Sequence, residues 1–482
     1  APGTGTRLEA PPQRTGSRRP GTCHVFMLAA GLLLPLWYAA GTRPAERKPH
    51  EDAAEKIRRI GLREEGAYGF LERLTAIGPR LTGSAEAESA VALMKRIMLE
   101  LGFDDVHLEP VTVNRWIRGE KEEAKVIGAG GGKDIALTVS ALGGSVGTPE
   151  SGLTAPVLEV RSFEDLAVLG PKAKGSIIFF NTPMDRASPD PFAAYGSAAA
   201  HRVNGAVEAS RLGARAVLIR SLTFRRDDFP HTGLMRYDPS APKIPAAALS
   251  TEDAETLSRL LSRATTSVTV RLNLSCRTLA PVSSANVVGQ LTGTGLPQEI
   301  VLVGGHLDSW DLGTGAHDDG AGCVQAVEAL RLIRAAGLAP RRTIRAVMFM
   351  DEEFGGTGGR FYAESKRRRA EKHIAAFESD RGGFTPLGMG IGGGGEIFGK
   401  LSSWDYLFRP LGIRMTPGGG GVDIAPLAAR GTVLLSLVPD SQRYFDVHHS
   451  AHDVLAAVHP RELELGAVAL AIFSYVIAQE GI

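Results

Sequence analysis

Apolar residues recur at helical spacing in residues 64–77, where Tyr68, Leu71 and Leu74 share one face. A second helix is expected in residues 84–103. Ser84 stands as its N-cap, Gly102 as its stop, and Val91, Met94, Met98 and Leu101 repeat at intervals of three and four. The stretch IGPRLTGS between them has the composition of a turn. Alternating patterns near Val106–Val113 and Ala124–Ile127 predict strands.

From Gly143 to Val270 the texture changes. Short apolar runs (PVLEV, SIIFF, AVLIR) are separated by loops rich in Pro and Asp, and one clear helix runs through VNGAVEASRLGA. This predicts a compact α+β insert. His201 and His231 fall in it as lone histidines, expected at the surface or in loops. Strand-type sequence restarts at SSANVVGQLTG, and strand and helix then alternate to the end, which predicts an α/β layer fold. EIVLVGG, TIRAVMFM and IAAFE read as buried strands. GAGCVQAVEALRLIRAAG reads as a helix, and FYAESKRRRAEK as a helix whose basic run is a solvated face. GEIFGKLSS and the run Gly418–Gly421 are expected as flexible loops. The closing helix LGAVALAIFSYVIAQ is apolar nearly all round, so it should be buried.

Composition narrows the class. With 482 residues, 43% of them hydrophobic, the chain can bury a large core. Its 54 basic and 53 acidic residues leave a net charge of +1, which gives no pull toward nucleic acid or an anionic membrane. Three cysteines, one of them in the leader, exclude a disulfide scaffold; Cys276 and Cys323 read as buried apolar side chains. The uncharged run Val25–Thr42 follows Arg18 and Arg19 and ends in small residues, the layout of a signal peptide. Secretion or export follows from it, with a membrane tether through an uncleaved leader as the alternative. The expected division is a leader at 1–50, a catalytic domain in two parts at 51–142 and 276–482, and the insert at 143–275.

The chemistry sits where strands end. The first buried strand runs into GGHLDSWDLGTGAHDDGAG, with His306, Asp308, Asp318 and Asp319. The second runs into Asp351, Glu352 and Glu353, the third into Glu378 and Asp380. A later loop, YFDVHHSAHDV, supplies His448, His449, His452 and Asp453. In open α/β sheets, ligands bind beyond the carboxyl ends of the strands. Carboxylates and imidazoles without thiolates suit hydrolytic zinc, and there are enough for two cations sharing a carboxylate. Of the adjacent Glu352 and Glu353, one can bind metal while the other serves as general base. Burying so many carboxylates without a cation would be very costly. No Gly-x-Ser-x-Gly elbow and no Walker sequence is present, so serine hydrolases and nucleotide enzymes lack their central part.

These segments, with IGPRLTGS, RVNGAVEASRLGARAVLIRSL, PHTG, SANVVGQLTG and ESDRGGFTPLG, resemble the two-zinc aminopeptidase/glutamate carboxypeptidase family from about Ile57 to the C-terminus. The resemblance implies a three-layer mixed-sheet zinc-peptidase domain with an inserted protease-associated domain that caps the cleft. It implies two zinc ions per chain, one held by His306, Asp318 and Asp380, the other by Asp318, Glu353 and His449. Glu352 would be the general base, and Asp308 would orient His306. The bond between Asp318 and Asp319 would be cis. His449 rather than His448 is selected because the family ligand directly precedes Ser or Thr; His448, His317, His452 and His459 would be bystanders. Val454 departs from the usual Thr of relatives. Short peptides as substrates and a homodimer are further implications. An aminopeptidase of the same family, a non-catalytic receptor and a single-zinc cyclase are the competing readings.

Overall fold

The computed structural model describes residues 47–482 apart from Gly131. The leader and its cleavage site lie outside the described residues. Helices α1 (Glu51–Glu64), α2 (Gly66–Thr75) and α3 (Ala85–Glu100) precede the long strand β1 (Asp104–Ile117). Ser84 caps α3 by accepting from the Ala87 N–H.

The chain then builds a second sheet through β2 (Glu122–Gly130), β3 (Lys133–Leu137), β4 (Val139–Ala141), β5 (Leu153–Val160), α4 (Phe163–Leu169), β6 (Ile177–Phe180), α5 (Pro191–Arg211), β7 (Ala216–Arg220), β8 (Ala246–Leu249), α6 (Thr251–Arg263) and β9 (Thr269–Leu274). It returns through β10 (Arg277–Leu291), β11 (Leu296–His306), α7 (Ala321–Ala335), β12 (Arg342–Phe349), α8 (Thr357–Glu364), β13 (Lys372–Glu378), β14 (Pro386–Ile391), α9 (Gly395–Ser402), β15 (Arg414–Pro417), β16 (Val433–Pro439), α10 (Tyr444–Val447) and α11 (Pro460–Glu480).

The first sheet has the order β1-β10-β12-β11-β13-β16-β14-β15 and is mixed. Its centre, β12-β11-β13-β16, is parallel. One face is covered by α1, α2, α3, α7 and α11, whose apolar sides merge with β11 and β12 in the main core. The other face packs Val288, Leu302, Val347 and Phe349 against Tyr362 of α8 and against Ile424 and Leu427. The result is the expected three-layer α/β arrangement. The closing helix α11 is long and apolar enough to cross a membrane, but most of its apolar window is buried.

The second sheet has the order β3-β2-β9-β5-β6-β7-β8-β4 and carries its own two cores. It corrects the expected boundary at residue 143. The pairing of β1 with β10 continues down to Ile117 opposite Arg277, so the chain leaves the first sheet after Ile117 and rejoins it at Arg277. Ala124 and Val126 of β2 pair with Leu272 and Val270 of β9 and are buried in the insert. The alternation of residues 124–127 signalled a strand; its partner lay some 145 residues away and was not legible locally.

Two further expectations change. The helix expected in FYAESKRRRAEK ends at Glu364, and Lys366–Ala370 forms a 3₁₀ turn started by Ser365. Arg368 in that basic run is buried, not solvated; it pairs with Glu109 and Glu371 and lies 4.0 Å over the Tyr362 ring. Gly395–Ser402, expected as a loop, is helical. Cys276 and Cys323 are both buried as free thiols.

Candidate metal centre

His306 is the last residue of β11, the Asp351–Glu353 turn follows β12, and Asp380 lies two residues past β13. Three neighbouring parallel strands thus deliver these groups to one rim. Asp318 and Asp319 lie in the short helical segment Ala316–Gly320 before α7, joined by a cis peptide bond. His449 arrives from the segment after α10 with a positive φ of 58°.

The two imidazoles are held in the same way. His306 Nδ1 lies 3.0 Å from the Asp308 carbonyl oxygen, which can only accept, so Nδ1 carries a proton and Nε2 is the nitrogen turned to the acids. That Nε2 is buried without a hydrogen-bond partner and faces Asp318 Oδ1 at 3.2 Å and Asp380 Oδ1 at 3.6 Å. His449 Nδ1 donates to the Thr232 carbonyl at 3.3 Å, which turns its Nε2 toward Asp318 Oδ2 at 3.2 Å and Glu353 Oε2 at 3.3 Å. Asp318 therefore offers one oxygen to each imidazole. Asp318 Oδ2 and Glu353 Oε1 are buried without hydrogen-bond partners. With the imidazoles neutral, lone pairs face lone pairs at this point, an arrangement that bound cations satisfy.

Protonation tells the same story. Burial pushes the Glu352 carboxyl well above its ordinary range, and Asp380 and Glu353 add to the shift. Burial likewise raises Glu353 and Asp380. Burial works against the charged form of His449, but the Glu353 and Asp318 carboxylates outweigh it and lift the imidazole to about 10. Asp318 moves the opposite way: burial opposes its ionisation, yet His306 and His449 on either side hold it well below the usual carboxylate range. Protons here do what divalent cations would do. The donor set fits metal.

Three sets of side chains bring ligand atoms within 4.8 Å of one another: His306, Asp318 and Glu353; His306, Asp319 and Asp380; and Asp318, His448 and His449. Two members of these sets have weaker claims. Asp319 already spends Oδ2 on the His306 N–H and Oδ1 on the Gly322 N–H. His448 Nε2 stands 3.7 Å from Asp318 Oδ2, farther than His449, and its ring stacks on His449 at 3.5 Å between centroids.

Asp308 acts differently from the expectation that its carboxylate orients His306. The carboxylate stands 3.8 Å from His306 Nδ1, beyond a hydrogen bond, and the backbone carbonyl takes that bond instead. Its two oxygens accept from the N–H groups of Asp351 (2.8 Å), Glu352 (3.2 Å) and Glu353 (3.3 Å) and from the Thr82 hydroxyl (2.6 Å). Asp308 thereby shapes the turn that presents Glu352 and Glu353.

The sequence marked Asp453 as a candidate but gave no sign of the parts played by Trp310 and His231. The Trp310 indole donates to Glu353 Oε2 at 2.5 Å. Asp453 accepts from the His317 and Asp318 N–H groups at 2.6 and 3.1 Å. His231, expected at the surface, is buried, and its Nδ1 donates to the His448 carbonyl at 2.6 Å. His201 is also buried, stacked on Phe180. The remaining histidines stay apart from the acids around Asp318: His317 donates to the Ala457 carbonyl and stacks on Phe384, and His452 lies beside Asp227. A cleft of about 370 Å³ opens over the site, lined by Glu352, Glu353 and Asp380 on one side and by Phe192, Tyr195 and Arg202 of α5 on the other.

Comparison with known proteins places this geometry in context. Residues 286–472 match the profile of peptidase family M28. Carboxypeptidase Q of Bos taurus is 36% identical over 472 residues, covering 95% of this chain and 96% of the relative. Carboxypeptidase Q of Homo sapiens is 36% identical over 432 residues, covering 89% of each. The crystal structure of a peptidase M28 precursor from Shewanella amazonensis superimposes with a TM-score of 0.85 at 34% identity, over 90% of this chain and 97% of that one.

Proposed function

The chain belongs to peptidase family M28 and is a metallopeptidase, and from that premise we propose that it is a two-zinc exopeptidase hydrolysing dipeptides or the terminal residues of short peptides. The observation that carries the proposal is Asp318, whose two carboxylate oxygens each stand 3.2 Å from Nε2 of a different imidazole. That arrangement suits a carboxylate shared by two cations.

In this reading His306, Asp318 and Asp380 would hold one zinc, and Asp318, Glu353 and His449 the other. The bound pair would acidify the attacking water and polarise the scissile carbonyl. Glu352, on the rim of the cleft and free of direct contact with either imidazole, takes the proton of the water on its carboxylate and returns it to the leaving amine. Asp308 fixes the backbone of Glu352 and so the approach of that carboxylate. The Trp310 N–H occupies one lone pair of Glu353 and leaves the rest of the carboxylate for metal.

The insert is read as a protease-associated domain, with α5 as the roof of the cleft. Export through the leader and a homodimeric state complete the proposal; light scattering and fractionation of an expressing cell test them. The central test is elemental analysis with dipeptide hydrolysis before and after chelation and zinc add-back. Two zinc ions per chain and recovery on add-back are expected. Glu352→Gln should keep both ions and lose hydrolysis by about 100-fold or more; turnover surviving in that variant removes Glu352 as the base.

A further inference from the structure

The segment IGPRLTGS, between α2 and α3, carries no candidate ligand and lines no part of the cleft. Its arginine, Arg80, is nevertheless fully buried. Nε donates to the Leu307 carbonyl at 2.7 Å, Nη1 to the Thr314 carbonyl at 2.5 Å and Nη2 to the Gly315 carbonyl at 2.9 Å. All three acceptors are backbone oxygens, none a carboxylate. Burying a guanidinium is costly, and an arginine placed this way serves as a many-armed donor rather than as half of an ion pair.

The three carbonyls bracket one loop. Leu307 directly follows His306, and Gly315 directly precedes the Ala316–Gly320 segment that carries Asp318. Arg80 therefore ties the entrance of this loop to its exit. The Gly315 carbonyl also accepts from the Gly320 N–H at 3.0 Å, which links the guanidinium to the far end of the Asp318 segment. Gly315 has a φ of 58°, and a Cβ there would fall 2.8 Å from Arg80 Nη2 and 2.3 Å from Ser309 Cβ. The backbone adds two bonds: the Ser309 N–H donates to the Arg80 carbonyl at 3.1 Å, and the Arg80 N–H donates to Ser309 Oγ at 3.0 Å. Ordering a loop that bears a ligand at each end costs conformational entropy. These contacts meet that cost inside the protein, without a cation.

We propose that Arg80 is a positioning residue that fixes the spacing of His306 and Asp318 before metal binds, so that the cost of ordering the loop does not fall on metal affinity. The inference rests on the two-zinc reading and extends it to a segment remote from the cleft. A planar fork with five N–H donors spans three carbonyls; a lysine ammonium, a point charge, does not.

The test uses the full chain with Arg80→Met, Arg80→Lys and Ser309→Ala, the last removing only the acceptor of the Arg80 N–H. Hydrogen exchange of residues 307–320 is measured on metal-free protein. Zinc affinity is measured by chelator competition, and the cobalt-substituted protein is examined by its visible absorption spectrum. Arg80→Met should speed exchange in the loop by about 10- to 100-fold, leave exchange in α5 unchanged, and weaken zinc binding by about 10- to 100-fold. The cobalt spectrum should change, and with zinc saturating, kcat on alanyl-leucine should fall while KM holds, since Arg80 touches no substrate. Arg80→Lys should lie between Arg80→Met and the wild type, and Ser309→Ala should speed loop exchange by about 3- to 10-fold. If Arg80→Met fails to fold, the other two variants decide. A folded Arg80→Lys or Arg80→Met with loop exchange, zinc affinity and cobalt spectrum of the wild type overturns the inference. So does a wild-type loop that is unprotected until zinc is added, or exchange that rises equally throughout the chain in every variant. A wild type that binds fewer than two zinc ions overturns the two-zinc reading instead; loop exchange, read without metal, separates the two failures.

Discussion

Thr232 and His449 hold each other at both ends: the Thr232 N–H donates to the His449 carbonyl at 3.0 Å, and His449 Nδ1 donates back to the Thr232 carbonyl at 3.3 Å. One residue belongs to the insert and the other to the C-terminal part of the catalytic domain, 217 positions apart. The insert therefore sets the orientation of an imidazole in the metal centre.

Gly233→Ala tests this coupling. The added methyl would meet both Arg202 Nη1 and His449 Nδ1 at a backbone φ that disfavours a side chain. Affinity for one of two zinc ions should drop about 10- to 100-fold, with the other ion retained, as read by competition with a chromogenic chelator.

Asp308→Ala should cost more stability than any single partner suggests. It orphans three backbone N–H groups and the Thr82 hydroxyl in a buried site. A loss of about 3–5 kcal/mol is expected in denaturant unfolding, against about 1 kcal/mol for Thr82→Val, which removes one hydrogen bond. Hydrolysis should fall with Asp308→Ala because the turn carrying Glu352 loses its anchor.

Alkaline pH should weaken the fold through Glu464. This carboxyl is buried in α11, and burial together with Glu328 raises it to about 8 from an ordinary 4.5. The folded chain thus holds a proton that the unfolded chain releases near 4.5. The contribution is fully present below that value and is lost as pH rises through about 8. Glu464→Gln, which stays neutral, should flatten the fall in melting temperature between about pH 5 and 8. An unchanged slope would remove Glu464 as the cause.

Arg368 offers a contrast within one basic run. Arg368→Ala removes a buried partner that Glu109 and Glu371 share, leaving Glu371 to Arg345 and Glu109 to His107, and should cost about 2–3 kcal/mol. Arg369→Ala, at an exposed position, should stay within about 0.5 kcal/mol. Chemical denaturation of the two variants distinguishes them.

Much of the site was legible because its members mark the ends of buried strands. His306, Asp308, Glu352, Glu353 and Asp380 follow apolar runs that could only be central strands, and parallel neighbours bring such ends to one rim. Asp308 was found, but its task was not, since that depends on which backbone N–H groups the Asp351–Glu353 turn points at it. Arg202 gave no local signal: it sits in a helix of small residues, and its burial comes from what α5 packs against. The same holds for Arg368, which reads as one more cation in a surface run until Glu109 of β1 is placed beside it.

The sequence by itself determined the central buried strands and the main helices between them, which side chains follow those strands, and that those side chains suit a pair of cations, because each of these is encoded in a short window by periodicity, capping and composition. Only the tertiary structure decided that β2 belongs to the insert, that His449 faces Asp318 more closely than His448 does, and that a buried guanidinium looks onto the cleft. Those outcomes rest on contacts between residues far apart in the chain, whose energies depend on partners that no local window contains.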